Sequence, residues 1–576
     1  MTRSTDQGWK RVQSDGAFDV IVVGGGINGI GAFRDLALQG LRVLLVERED
    51  FCSGCSAAPS RMIHGGLRYL ENGEFFLVQE SLRERDALLA NAPHMVRPLP
   101  TTIPITSIFS GLLNGIFGFF GLTQRPASRG ALPIKIGLSL YDWTTRQRRR
   151  LPKHSFRNAR ETFHLWPKLT PRLQFSATYY DAWISHPERL GVELLLDSAR
   201  DAPESVALNH AEIVPDGAGY KVLDHLTGEE APVTAKVLVN ATGAWLDHAI
   251  SMLDGGKADH KQFVSGTKGS HLILDNPELH DALGGHMIFF ENKDGRVCIV
   301  FPYLGKVLTG ATDIRVEKAE RVRCEPEERD YIVAALGQVF PEIEITKDQV
   351  VYSFSGIRPL PKSDQAFTGR ISRGHFVHRL DGEVPQFCMV GGKWTTFRAF
   401  SEQTTDAVLA ELGKERKTST LNLPIGGGAR FPGESSALEA KLLSEHAISP
   451  ERAAYLADVY GTRAGDVLAF CAGRDDDLVI EPGAQVTGAE IAFLIRHEFA
   501  ETLGDILLRR LPLAITGEIT LESVMAVAKI AARELGRNAD TMAKETEGFL
   551  DTIENYYGVS RETLEKRTDS RSKKCA

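Results

Sequence analysis

Gly24, Gly26 and Gly29 are spaced G-x-G-x-x-G, immediately after the apolar run FDVIVV at 18–23. A short β-branched run of this kind reads as a buried parallel strand. The glycines that follow have distinct tasks. The first closes a tight turn, the second lets the backbone approach a pyrophosphate, and the third permits close helix–strand contact. Asn28 lies among them, and the next strand, LRVLLVE, ends at Glu47. An acid there is placed to accept from an adenosine ribose 2′-hydroxyl and disfavours a 2′-phosphate. Strand, glycines, helix, strand and terminal acid in this order predict dinucleotide binding. Far downstream, KVLVNATG at 236–243 reads as a return strand closing on Gly243. A nucleotide domain interrupted in this way suits a flavoprotein holding FAD better than a simple NAD enzyme.

Cys52 and Cys55 have the spacing of a zinc pair, but a structural site needs two more ligands and no second C-x-x-C exists. No metal is expected. Seven cysteines in 576 residues suit a reducing compartment without a disulfide framework. The formal charge of −8 argues against nucleic acid as the main partner. The 43% apolar and 25% charged composition excludes wholesale disorder, collagen and a continuous coiled coil. The first residues contain no apolar core of a signal peptide, so the expectation is a cytoplasmic protein. Residues 103–122 carry no charge over twenty positions, yet include a proline and four glycines. They read as a covered hydrophobic loop or as a segment dipping into one leaflet through Phe109, Phe117, Phe119 and Phe120; a full span fits less well. The basic run at 146–150 reads as a solvated face, or as a contact for anionic headgroups.

Further blocks carry a family resemblance: IHGGLRYL at 63–70, SLRERDALLANAPH at 81–94, ATGAWLD at 241–247, KGSH at 268–271, GATD at 310–313, FSGIRPL at 354–360, GGKWTTFR at 391–398 and IRHEFAETLGDILLRRLPL at 495–513. With GGGINGIG at 24–31, the chain resembles the FAD-dependent, quinone-linked glycerol-3-phosphate dehydrogenases over about nine tenths of its length. The fold class is then α/β plus α. A discontinuous Rossmann-like FAD-binding domain takes 17–100, 188–265 and 350–410. A mixed or antiparallel-sheet substrate domain takes 101–187 and 266–349. A polar, Gly-rich linker covers 411–433, an all-helical C-terminal domain 434–555, and a flexible charged tail 556–576.

The resemblance places a small phosphorylated polyol beside the flavin. A phosphate dianion calls for converging guanidinium and ammonium groups, and Arg68, Arg358 and Lys393 each have glycine close by. A fourth cation is expected after Arg358, and SRGH at 372–375 favours Arg373 over Arg370. His64 and His271 are both expected to line the site, either one able to take the hydroxyl proton as a neutral imidazole. Asp313 orients a loop near the substrate or caps a turn. Cofactor contacts are expected from Ser56, Ser60, Gly65, Gly66, Gly356, Gly391, Gly392 and Thr395, with the helix after Gly391 presenting its positive end. The stretch FCSGCSAAPSR at 51–61 departs most from the family, with Arg61 in place of its usual lysine.

The implied activity is oxidation of sn-glycerol 3-phosphate to dihydroxyacetone phosphate, with electrons passed to a membrane quinone. Peripheral attachment to the inner face of the cytoplasmic membrane and a homo-oligomer accompany it. Three alternatives stay open: an oxidase releasing hydrogen peroxide, a dehydrogenase of a longer substrate such as erythritol phosphate, and a silent FAD-binding sensor.

Overall fold

The computed structural model describes residues 3–66, 74–106, 135, 138, 151–217, 219–253, 261–292, 294–310, 312–363 and 371–575. Arg68, Arg370, residues 107–122 and the basic run 146–150 lie outside them.

The run at 18–23 forms the strand Ala17–Val23, in which Val20, Ile21 and Val22 are fully buried. It is the centre of a sheet with spatial order His375–Leu380, Gln386–Gly391, Glu230–Asn240, Ala17–Val23, Val43–Val46, Val206–Leu208. All pairs but the first are parallel. The helix Ile27–Leu38 leaves the strand through the glycine turn and packs against helices Pro187–Asp201 and Phe397–Glu411. Burial on both faces explains why the central strands Ala17–Val23 and Val43–Val46 are nearly continuously apolar rather than alternating.

A second sheet of ten strands stands over the first. Its long members are Val96–Ile105, Phe175–Ile184, Val264–Leu274 and Val350–Pro361. Among the described strands of this sheet, the pairing of Met287–Glu291 with Val96–Ile105 is parallel and the others are antiparallel. The expected boundaries at 100, 265 and 350 do not follow these strands. Val96–Ile105 and Val264–Leu274 run through two of them. Val350–Pro361, expected in the FAD-binding unit, pairs along Val264–Leu274 in the second sheet. Strand pairing between distant segments sets those limits, and local composition carries no trace of it. Ile103 and Ile105, at the start of the charge-free stretch, belong to a strand, paired with Ala177 and Phe175. No helix among the described residues is long and apolar enough to cross a membrane.

The C-terminal region is helical, as its three- and four-residue apolar spacing predicts, but it is not an appended ball. Its Leu456, Phe493, Ile506 and Leu550 share one core with Phe301, Leu308, Tyr352 and Phe354 of the second sheet. The segment 411–433 is likewise not a loose linker. Gly426 and Gly427 donate their amides to Asp197 and Glu193, and a Cβ on Gly427 would lie 1.9 Å from the Tyr460 carbonyl oxygen. The tail expected to be flexible contains the helix Arg561–Cys575, with Leu564 buried and Arg567 donating to the Val351 carbonyl at 2.9 Å.

Buried charges join the helical region to the nucleotide sheet. Arg510 holds both oxygens of Asp50, at 2.7 and 2.8 Å, while His210 Nε2 meets Asp505 at 2.8 Å. Burial opposes charge on His210, but Asp505 outweighs it and raises the imidazole to about 9. A folded pKa above the unfolded one stabilises fully below the unfolded value near 6.5 and loses that stabilisation as pH rises through about 9. The expected loss is on the order of 3 kcal/mol between about pH 7 and pH 10. Melting temperatures should therefore fall across that range, and more steeply than in His210→Asn, whose side chain tolerates the φ of +52°. Parallel profiles for the two proteins would exclude His210 as the cause.

Candidate active site

The glycine turn is built as its spacing predicts. Gly24 has φ +104°, a region that favours glycine, and a Cβ on Gly29 would stand 1.9 Å from the Gly24 carbonyl oxygen. Above the turn, a Cβ on Gly26 would meet only Ser56 Oγ, at 3.3 Å, which leaves backbone open to a ligand. The Ser56 hydroxyl accepts from the Ile27 amide at 3.0 Å, at the positive end of Ile27–Leu38. Glu47 accepts from the Gly25 amide at 2.6 Å and the Glu49 amide at 2.9 Å, so its carboxylate is fastened over the turn. Asn28 Oδ1 is buried without a hydrogen-bond partner, and a Cβ on Gly392 would fall 2.6 Å from Asn28 Nδ2. An orphaned acceptor beside two positive-φ glycines, Gly391 and Gly392, marks a surface shaped for a bound group. The residues present therefore fit a dinucleotide.

The loop 51–66 continues from this cradle to the second sheet. Trp394 Nε1 donates to the Ser56 carbonyl at 3.0 Å and the His64 amide donates to Thr395 Oγ1 at 3.2 Å. The Gly65 amide donates to Asp181 at 3.0 Å, and Arg85 neutralises that buried carboxylate. Gly66 has φ +77°, and Gly243, at +62°, opens the helical turn that follows the return strand Glu230–Asn240. Gly356 faces Ala58, whose Cβ a new side chain would meet at 2.7 Å. Ser60, expected at the cofactor, has its Oγ 2.8 Å from His271 Nε2. Arg61, standing where the family usually has a lysine, is held within the protein. It is buried at φ +56° and gives both nitrogens to Glu188, at 2.8 and 2.9 Å. Cys52 and Cys55 are free, and burial pushes both thiols up.

On the facing sheet, His271 and Arg358 come together. His271 is 2% exposed, stacked on Phe354 with centroids 4.9 Å apart, and lies flat over Gly310, where a Cβ would strike its ring at 2.2 Å. The Arg358 guanidinium covers Gly269, where a Cβ would fall 1.9 Å from Nη2. Asp313 accepts from Arg358 Nη1 at 3.1 Å and stands 3.7 Å from Arg373 Nη2. It links two cations. Lys393 donates to Ser81 Oγ at 2.7 Å; burial lowers its amine to about 7, against the pull of Glu80 and Glu74, and Arg373 lowers it further. Burial first, then Arg358 and Arg61, push His271 down to about 3. Arg358 and Arg373 thus meet at Asp313, with the neutral imidazole of His271 near Arg358 and the amine of Lys393 near Arg373.

The family model described as FAD dependent oxidoreductase matches residues 19–396, and that for the C-terminal domain of alpha-glycerophosphate oxidase matches 418–542. A glycerol-3-phosphate dehydrogenase of Synechocystis sp. is 33% identical over 93% of this chain and 96% of its own. The chain belongs to the FAD-dependent glycerol-3-phosphate dehydrogenase family. Its cofactor is FAD. A D-erythritol 1-phosphate dehydrogenase of Brucella abortus is 30% identical over 85% of this chain and 93% of that protein. The fold matches a glycerol-3-phosphate dehydrogenase from Bacillus halodurans with a TM-score of 0.74 at 22% identity, covering 96% of this chain and 98% of that one.

Gly269, Gly310, Asp181 and the Ser60–His271 bond escape sequence reasoning. The two glycines stand in the very motifs KGSH and GATD, but what they make room for depends on strand register. His271, on the second sheet, meets the loop 51–66 at Ser60.

Proposed function

We propose that this chain oxidises sn-glycerol 3-phosphate to dihydroxyacetone phosphate and passes the electrons to a membrane quinone. One observation carries the reading: Arg358 and Arg373 converge on the single carboxylate of Asp313, beside a buried neutral imidazole. Two guanidinium forks and the Lys393 ammonium suit a phosphate dianion better than a carboxylate monoanion. FAD, when bound, supplies the two-electron acceptor for the hydrogen on C2. Gly24, Gly26, Asn28, Gly29, Glu47, Ser56, Gly243, Gly391 and Gly392 would hold it, with Gly65, Gly66, Gly356 and Thr395 shaping the turn around its ring.

The chain's own chemistry is orientation and one proton. Arg358, Arg373 and Lys393 anchor the phosphate and so direct the carbinol end toward His271. With the ring proton on Nδ1, Ser60 Oγ donates to Nε2, and a substrate hydroxyl touching Ser60 passes its proton along that bond. His64 sits on the same turn as Gly65 and helps enclose the site. Phe76, 89% exposed at the start of helix Phe75–Asn91, supports peripheral membrane contact near the quinone.

Anaerobic bleaching of the flavin tests the reading. Rapid bleaching by sn-glycerol 3-phosphate, with return on a short-chain quinone but not on air, is the expected result. Faster bleaching by erythritol 1-phosphate would move the substrate, and fast return in air would move the acceptor to oxygen. No bleaching by either phosphate would overturn the clamp.

A further inference from the structure

His271 is badly placed to be a base on its own. Its ring is enclosed between Phe354 and Gly310; among the described residues Nδ1 is buried without a partner and Nε2 has only the hydroxyl of Ser60. Histidines that hold a proton inside proteins usually have a carboxylate beside them, as His210 has Asp505 here. His271 has none. The charges bearing on it, among the described residues, are Arg358 and Arg61, both positive. Arg61 is already answered by Glu188 in a two-pronged pair. Arg358 shares the carboxylate of Asp313 with Arg373.

We infer that the substrate's phosphate, seated on Arg358, supplies the negative charge that His271 lacks and thereby turns the imidazole into the proton acceptor. This rests on the reading of the site as a phosphate clamp. The dianion is then part of the base as well as a handle. The balance is simple. The O–H bond at C2 breaks and its proton bonds to Nε2 through Ser60; the C2 hydrogen leaves with both C–H electrons to the FAD. The imidazolium later returns its proton to solvent. Geometry supports the coupling. Gly269, under the guanidinium, and His271 are two residues apart on one strand, so both face the same side of the sheet. A polyol without phosphate should consequently react slowly even when saturating, rather than merely bind poorly.

The test cuts the substrate in two. The holoenzyme is mixed anaerobically with saturating glycerol, with and without inorganic phosphate, and flavin bleaching is followed. Phosphate should raise the bleaching rate at least ~10-fold, the factor that corresponds to one unit of proton affinity, and should leave His271→Asn unchanged. Inhibition by phosphate alone, or equal activation of His271→Asn, would overturn the inference. A second measurement covers the case in which glycerol is inert. Sulfate binding near about pH 5, where sulfate remains dianionic, is followed by calorimetry in two buffers of different ionisation enthalpy. Wild type should take up more protons than His271→Asn; equal uptake would overturn the inference. Failure of sn-glycerol 3-phosphate itself to bleach the flavin would instead sink the clamp reading.

Discussion

Gly269→Ala should raise the KM for sn-glycerol 3-phosphate on the order of 100-fold while FAD content and melting temperature stay near wild type. Gly269 is not among the positive-φ residues, so the strand Val264–Leu274 accepts alanine without backbone strain. What the new Cβ meets is Arg358, at 1.9 Å from Nη2, 2.4 Å from Cζ and 2.5 Å from Nη1. These atoms end a flexible side chain, so the guanidinium moves and the sheet does not. Lifting it away from Asp313 and Arg373 removes one fork of the clamp. Losing one partner of a hydrogen-bonded charge pair costs about 2–5 kcal/mol, which brackets that change in affinity. Steady-state kinetics beside a thermal melt decides it. An unchanged KM would place Arg358 outside the substrate site, whereas a large drop in melting temperature would show that Gly269 serves packing alone.

That experiment could not have been designed from the sequence, and the reason is physical. The nucleotide cradle was legible because its parts are neighbours: turn glycines, helix start and Glu47 all follow one strand. The facing site is assembled across long separations. Thr267 is the register partner of Arg358, and His271 that of both Phe354 and Gly310. Residue types at Arg358, Arg373, Lys393 and His271 could be read from their motifs, but the meeting of the two arginines at Asp313, and of Arg358 with Gly269, depends on pairing that leaves no local mark. Ser60 and Arg61 show the same limit from the other side. Each stands in the loop that approaches the cofactor, yet one turns to His271 and the other to Glu188. The charged tail misled because composition outweighed a single apolar residue. Leu564 reaches the core, and the Arg567 guanidinium bonds to the backbone of the second sheet.

The charge layer under the cradle leads to the other large effect. Arg510→Met should destabilise the protein by about 3–5 kcal/mol, because it leaves a buried carboxylate short of its counter-charge. Arg510 and Asp50 are each fully buried, and Arg510 also donates to the carbonyls of Glu498 and Phe499 at 2.9 and 3.3 Å. The π-helical turn Asp505–Arg510 directs Arg509 toward the same carboxylate, and Asn209 Nδ2 donates to it at 3.0 Å. Those partners keep Asp50 from being stranded completely, but neither replaces the two-pronged pair or the two carbonyl bonds. The double variant Asp50→Asn/Arg510→Met should recover part of the loss, since the uncompensated charge is then gone. Asp50 opens the loop 51–66 that carries Ser56, Ser60 and His64, so the single variant should also release flavin at a lower temperature. Urea unfolding and flavin fluorescence on one sample separate the two effects. Loss of stability without earlier flavin release would mean that the helical region braces the fold but not the cradle.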